Sequence, residues 1–148
     1  MSNRLPPRRN VGYVALGGAV GALARVALAT GFPPRPGRFP WVTFLENVTG
    51  AFLLAWLLTL LTERLSLDPT VRLLVCTGAL GAFTTYSTLA IEADALLRAG
   101  GGSLAVLYAG ASVVLGLLAA LLGVRLARLR TWGTRGRGTP GAASEPPS

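Results

Sequence analysis

Apolar and polar positions along the chain sort into four long hydrophobic blocks separated by short polar connections. The blocks run from Val11 to Thr30, Trp41 to Leu61, Leu73 to Ile91 and Leu104 to Leu126. Each has the ~20 residues needed to cross roughly 30 Å of hydrocarbon at about 1.5 Å rise per residue. Soluble helices of this length keep a polar face, and these blocks largely do not, so they predict four membrane-spanning helices. The first is longer than a signal-peptide core and three more follow it, so it reads as a retained span. The pattern therefore predicts an all-α membrane domain over residues 11–128, after a basic arm (1–10) and before a Gly/Pro/Ser-rich basic tail (129–148). Such a tail buries too little apolar surface to offset its ordering entropy, which predicts disorder.

The connections are short. Gly31 to Pro40 holds four of the ten prolines, which end the first helix and predict a tight turn. Thr62 to Arg72 carries Glu63, Arg64, Asp68 and Pro69, and the third connection is the run Gly100, Gly101, Gly102.

Charge changes the picture in one respect. The net charge is +8, and all 14 basic residues are arginines. On a soluble domain that excess would suggest nucleic acid, but these arginines lie at block edges and in the tails, as membrane-flanking charge does. No nucleic-acid partner is expected. With four spans, the termini and second connection share one side. That side holds Arg4, Arg8, Arg9, Arg64, Arg72, Arg125, Arg128, Arg130, Arg135 and Arg137, against Arg35, Arg38 and Arg98 opposite. The bias places both termini in the cytoplasm of a cell-membrane protein. The lone Cys76 precludes an internal disulfide, and a chain without histidine offers no ordinary zinc or haem site, so no cofactor is expected.

Several groups inside the blocks do not belong in lipid. Gly17, Gly18, Gly21 and Ala22 form a small-residue seam that admits a neighbouring helix closely. Arg25 lies about 7 to 8 Å from its block's end, so it either snorkels to the interface or faces an aqueous vestibule. In the second block, Thr43, Glu46 and Asn47 share the first half with Gly50. The Asn47 amide either ties helices together or offers an uncharged donor to an anion. Glu46, about 100° around the helix from it, reads as an interface or vestibule charge.

The third block reads Gly78-Ala-Leu-Gly81-Ala-Phe-Thr84-Thr85-Tyr86-Ser87-Thr88 in mid-span. This pattern predicts a helix broken inside the membrane, tolerated only where protein or a wet cavity receives the freed backbone. The alternative is an intact helix with hydroxyls bonded to its own carbonyls. Glu92 and Asp94 are two residues apart, face different sides and make no acid/base pair. With no nucleophile-base constellation, no enzymatic activity is expected. Tyr108, Ser112 and Gly116 form a stripe on the fourth helix that either lines a pore or packs.

Three of these segments together resemble the Fluc (CrcB) fluoride channels: Gly17-Gly18-x-x-Gly21-Ala22-x-x-Arg25, Thr43-x-x-x-Asn47-x-x-Gly50-x-Phe52, and Gly78-x-x-Gly81-x-x-Thr84-Thr85-Tyr86-Ser87-Thr88. The resemblance covers about residues 10 to 128. It implies an antiparallel, dual-topology dimer of four-helix subunits, with two fluoride pores near the interface and a structural sodium ion at its centre. Asn47 would contact fluoride, and Tyr86, Ser87 and Thr88 would lie along the pore. Arg25 would face the vestibule, and Thr43, Glu92, Tyr108 and Ser112 match the polar track. The backbone carbonyls of Gly81 and Thr84 would hold sodium. The implied activity is passive fluoride efflux through uncharged donors and ring edges, which replace the ion's water without trapping it.

Two departures qualify the match. Where the family carries two phenylalanines in helix three, this chain has Tyr86 and Leu89, and Gly116 stands where a hydroxyl is usual. A self-sufficient antiparallel homodimer also needs balanced flanking charge. The ten-to-three arginine bias therefore favours one half of a heterodimer of oppositely oriented paralogues over a homodimer. The rival functions are a small proton-coupled multidrug exporter, which needs a carboxylate in helix one where only Arg25 stands, and a non-conducting structural subunit.

Overall fold

A computed structural model describes residues 7–63 and 68–132. It is all-helical among these residues, with four helical runs long and apolar enough to cross a membrane. Helix α1 spans Pro7–Gly31 and α2 spans Trp41–Glu63. The third run is divided into α3, residues 69–83, and α4, Tyr86–Arg98. Helix α5, Gly102–Trp132, is the longest. The most apolar window of each run is only 11% to 17% buried within the chain. A helix apolar on all sides and so little covered has lipid or another subunit around it.

The helices outrun the apolar blocks. Helix α1 starts within the segment read as a basic arm, and α5 continues six residues past Leu126, because flanking arginines are good helix formers. The first residues of the arm, 1–6, and the tail from 133 onward lie outside the described residues. At the start of α3, Asp68 is the N-cap and Pro69 follows it in the first turn. The Thr70 amide and hydroxyl donate to Asp68 Oδ1 at 2.9 and 2.7 Å, which holds that carboxyl below its ordinary range. Beyond Arg98 the chain reverses through Gly100, at φ +79°, a left-handed conformation that glycine adopts without steric cost.

Two seams hold the bundle. In one, α1 lies on α3 with almost no side chain between them. A Cβ on Gly17 would strike the Leu74 carbonyl, one on Gly21 the Ala79 carbonyl, and one on Gly78 would come within 2.7 Å of the Val14 carbonyl. The small-residue seam expected from the sequence is this contact, although Gly18 stands slightly apart from it. Within α3, Leu73–Leu80 is wound wide, as a π-helix. In the other seam α2 lies along α5, where a Cβ on Gly123 would meet the Phe52 carbonyl at 2.6 Å.

Candidate functional site: a clamped break and a polar track

The third run breaks at Thr84 and Thr85, both extended, with φ/ψ of −78°/148° and −146°/123°. Two neighbours on α2 account for the position of the break. Gly50 leaves room for it, since a Cβ there would collide with Thr84 Cγ2. One turn earlier, Asn47 grips the exposed backbone from both sides. Its Oδ1 accepts from the Thr85 amide at 2.8 Å, and its Nδ2 donates to the Thr85 carbonyl at 3.0 Å. A carboxamide carries two N–H donors, so one remains after the clamp is made.

Thr85 then restarts the helix. Its hydroxyl accepts from the Thr88 amide at 3.2 Å, an N-cap for α4, and also donates to Thr88 Oγ1 at 3.1 Å. Ser87 Oγ lies 3.1 Å from the same hydroxyl. These bonds have a consequence for the carbonyls behind them. In an unbroken helix the Gly81 carbonyl would accept from the Thr85 amide and the Thr84 carbonyl from the Thr88 amide. Both amides are instead directed to side-chain oxygens.

A polar track continues along α4. Arg25 Nη1 reaches Thr88 Oγ1 at 3.4 Å, which ties α1 to the hydroxyl cluster. One turn on, Glu92 accepts from the Thr43 hydroxyl at 3.0 Å and from the Tyr108 hydroxyl at 2.6 Å. Three helices thus meet on one carboxylate. Tyr108 is fully buried, and the edge of Phe39 packs against it at 5.3 Å between ring centroids, with Phe39 also edge-on to Phe44 at 5.3 Å. Asp94, by contrast, pairs with Arg98 at 2.7 Å on the exposed side.

The site residues expected from sequence fall into four groups. Arg25, Thr43, Asn47, Ser87, Thr88, Glu92 and Tyr108 form hydrogen-bonded groups around the break and the track. Gly81 lies in the last helical turn before the break and Thr84 within the break itself. Ser112 is buried, but its hydroxyl donates to the Tyr108 carbonyl at 2.7 Å, so its proton is committed to its own helix. Tyr86 stands apart from the network and is 81% exposed. Leu89 packs in the apolar core with Phe44, Leu96 and Tyr108, and Gly116 faces open space.

One expectation is narrowed. Glu46, read as an interface or vestibule charge, is only 4% exposed, which sets the interface half aside, and among the described residues its Oε1, like Arg25 Nε, has no hydrogen-bond partner. Its place on the buried face of α2, beside Thr43 and Gly50, covers it from lipid. Thr85 was not singled out as a site residue, although its amide, carbonyl and hydroxyl are all engaged. The signal was present in a hydroxyl three residues ahead of Thr88, the spacing of an N-cap.

The fold and site together define a small multi-pass membrane protein with a mid-membrane break and an internal polar track. Similarity to known sequences narrows this class. The family profile described as CrcB-like protein, Camphor Resistance (CrcB), matches residues 12–124, and the chain belongs to that family. It is 45% identical over 120 residues to a protein of Mycobacterium bovis named fluoride-specific ion channel FluC 1, a match covering 81% of this chain and 91% of that one. It is 44% identical over 120 residues to fluoride-specific ion channel FluC of Magnetococcus marinus, covering 80% and 98%. With the protein of that name from Acidobacterium capsulatum it shares 47% over 113 residues, covering 76% and 90%.

Proposed function

We propose that this chain is a fluoride channel subunit that lets the ion leave the cytoplasm passively. The observation that carries the reading is the Asn47 clamp on the broken helix: it leaves one uncharged N–H donor beside the hydroxyls of Thr85, Ser87 and Thr88. Fluoride is small and strongly hydrated, and neutral donors replace its water without holding it. Hydrogen fluoride crosses lipid uncharged and ionises inside. A membrane potential of about 100 mV, negative inside, then favours anion exit by about 2.3 kcal/mol per charge, so no coupled energy source is required.

The reading includes a dual-topology dimer with a sodium ion at its centre. Two freed carbonyls, those of Gly81 and Thr84, are too few for a hard cation, and a second inverted copy would double them. Oxygen donors of this kind suit sodium, and its role would be structural. Tyr86, so exposed in a single chain, would place its ring edge against that partner. Both termini would be cytoplasmic in the favoured orientation. The ten-to-three arginine bias, with Leu89 held in the core and Gly116 in open space, supports a heterodimer with an inverted paralogue over a homodimer. The proton-coupled exporter gains nothing from Glu46, which lies on α2 and not on α1.

Reconstitution in liposomes tests this. A potassium gradient with a potassium ionophore drives anion efflux, followed with a fluoride electrode. Fluoride efflux without chloride efflux is expected when the chain is combined with an inverted paralogue, and weak or no efflux from the chain alone. Robust efflux from the chain alone would exclude the obligate pair. Equal chloride and fluoride efflux, or none in either preparation, would overturn the channel reading.

A further inference from the structure

The connection between α1 and α2 was expected only to turn the chain, yet its geometry does more. Residues 35–38 read Arg-Pro-Gly-Arg, and the Arg38 amide donates to the Arg35 carbonyl at 3.1 Å. Gly37 sits at φ +70°. Proline second and a positive-φ glycine third is the type II β-turn, whose first and fourth Cα atoms lie within about 7 Å. The turn therefore places two arginines side by side. Proline fixes φ at Pro33, Pro34, Pro36 and Pro40, and Phe39 anchors the loop in the aromatic cluster of Trp41, Phe44 and Tyr108.

Both arginines are exposed, and neither forms an ion pair among the described residues. They line a cavity of about 550 Å³, together with Trp41 and Glu92. A second cavity of about 240 Å³ is again lined by Arg35, Arg38 and Glu92. Glu92 is where the polar track meets these cavities, through its bonds to Thr43 and Tyr108.

We infer that the Arg35–Arg38 turn is an anion-gathering mouth, which concentrates small hydrated anions in the cavity above Glu92. The inference rests on the channel reading for placing that cavity at one end of the fluoride path. Glu92 would by itself draw cations. Each of its oxygens accepts a hydroxyl, however, and two guanidiniums against one carboxylate leave the mouth net positive. Arg25 and Glu46, the nearest other charges on α1 and α2, are of opposite sign and add little. Two guanidiniums within a few ångströms of a wet cavity raise local anion concentration about three- to fivefold at low ionic strength. The effect fades as the screening length falls to about 8 Å at physiological salt. Since the arginines are exposed to water, they gather anions without holding them, as a conducting path requires.

Trp41 lines the larger cavity and is 61% exposed, which supplies a reporter independent of transport. In a Trp56→Phe, Trp132→Phe background and an uncharged detergent, iodide quenching of Trp41 is compared with quenching by neutral acrylamide and by caesium. At low salt, Arg35→Gln/Arg38→Gln is expected to lower the iodide constant about three- to fivefold, leave acrylamide unchanged and raise caesium quenching. Adding an inert salt should bring the parent down to the variant. Iodide quenching that is the same in both proteins at low salt would overturn the inference, as would a parallel change with acrylamide, which reports altered shape. Because the readout involves no fluoride flux, a chain that shows this pattern but passes no fluoride even when combined with an inverted paralogue would support the mouth and count against the channel reading alone.

Discussion

The two sides of the break in the third span are packed by opposite means. On the α3 side, α1 and α3 meet backbone to backbone, through Gly17, Gly21 and Gly78, with carbonyls where side chains would otherwise lie. On the α4 side, contact is made by side chains: hydroxyls on Glu92, an arginine on Thr88, and aromatic edges around Tyr108. Shape sets the first and donor count the second. In a membrane, where water cannot drive helices together, close approach and interhelical hydrogen bonds are the two available means. The break lies where one gives way to the other, and Asn47 and Gly50 on α2 serve both, one by bonding and one by leaving space.

The glycine seam predicts the largest effect. Gly21→Val would drive a branched side chain into the Ala79 carbonyl, and backbone cannot yield as a side-chain tip can. Overpacking of this kind costs about 3 kcal/mol. The expected result is loss of monodisperse protein on size exclusion and a lower midpoint for unfolding in mixed detergent, whatever lies in the polar track. Wild-type behaviour on both measures would show that the seam can open, and the contrast drawn above would fail.

Asn47→Ala comes next, and it probes the junction itself. Truncation leaves the Thr85 amide and carbonyl without their side-chain partners and costs about 2 kcal/mol. Fluoride flux per folded protein should fall by about an order of magnitude or more, since the donor lost to the ion contributes about 1.5 to 3 kcal/mol and 1.4 kcal/mol is already tenfold. Asn47→Asp separates the two roles of the residue. It keeps an acceptor for the Thr85 amide but removes the donor and places a charge beside the path, so stability should recover further than flux. Flux recovering with stability would mean that Asn47 only clamps the helix.

Much of this arrangement was legible in the sequence, and the unread parts share a cause. Twenty-residue apolar blocks fix the spans because bilayer thickness demands that length, and two glycines before five hydroxyl-bearing residues marked the break to within a residue or two. Gly17 and Gly21 marked the seam because only small residues permit it. What stayed hidden depends on which atom meets which. A row of hydroxyls does not say that Thr85 takes the cap, and the wide winding of Leu73–Leu80 leaves no composition of its own. Glu46 read as an interface or vestibule charge because its depth along the helix was readable while its direction around the bundle was not. The two arginines beside the prolines counted only as flanking charge until the turn brought them together at a cavity containing Glu92.

Gly116 sharpens the comparison from its quietest end. It is a glycine like Gly21, on a long apolar helix like α1, but a Cβ there would meet nothing within 4 Å. If packing in this protein follows shape and not residue type, Gly116→Ser should change stability by less than about 0.5 kcal/mol, the range of substitutions away from packed features. The serine hydroxyl can bond back to the carbonyl one turn earlier, as Ser112 does to Tyr108, so no unpaired polar group is created. Unfolding midpoints for Gly116→Ser and the parent in the same detergent are expected to coincide. A loss comparable to that of Gly21→Val would mean that this face of α5 is covered as tightly as the glycine seam, which only a partner subunit could do.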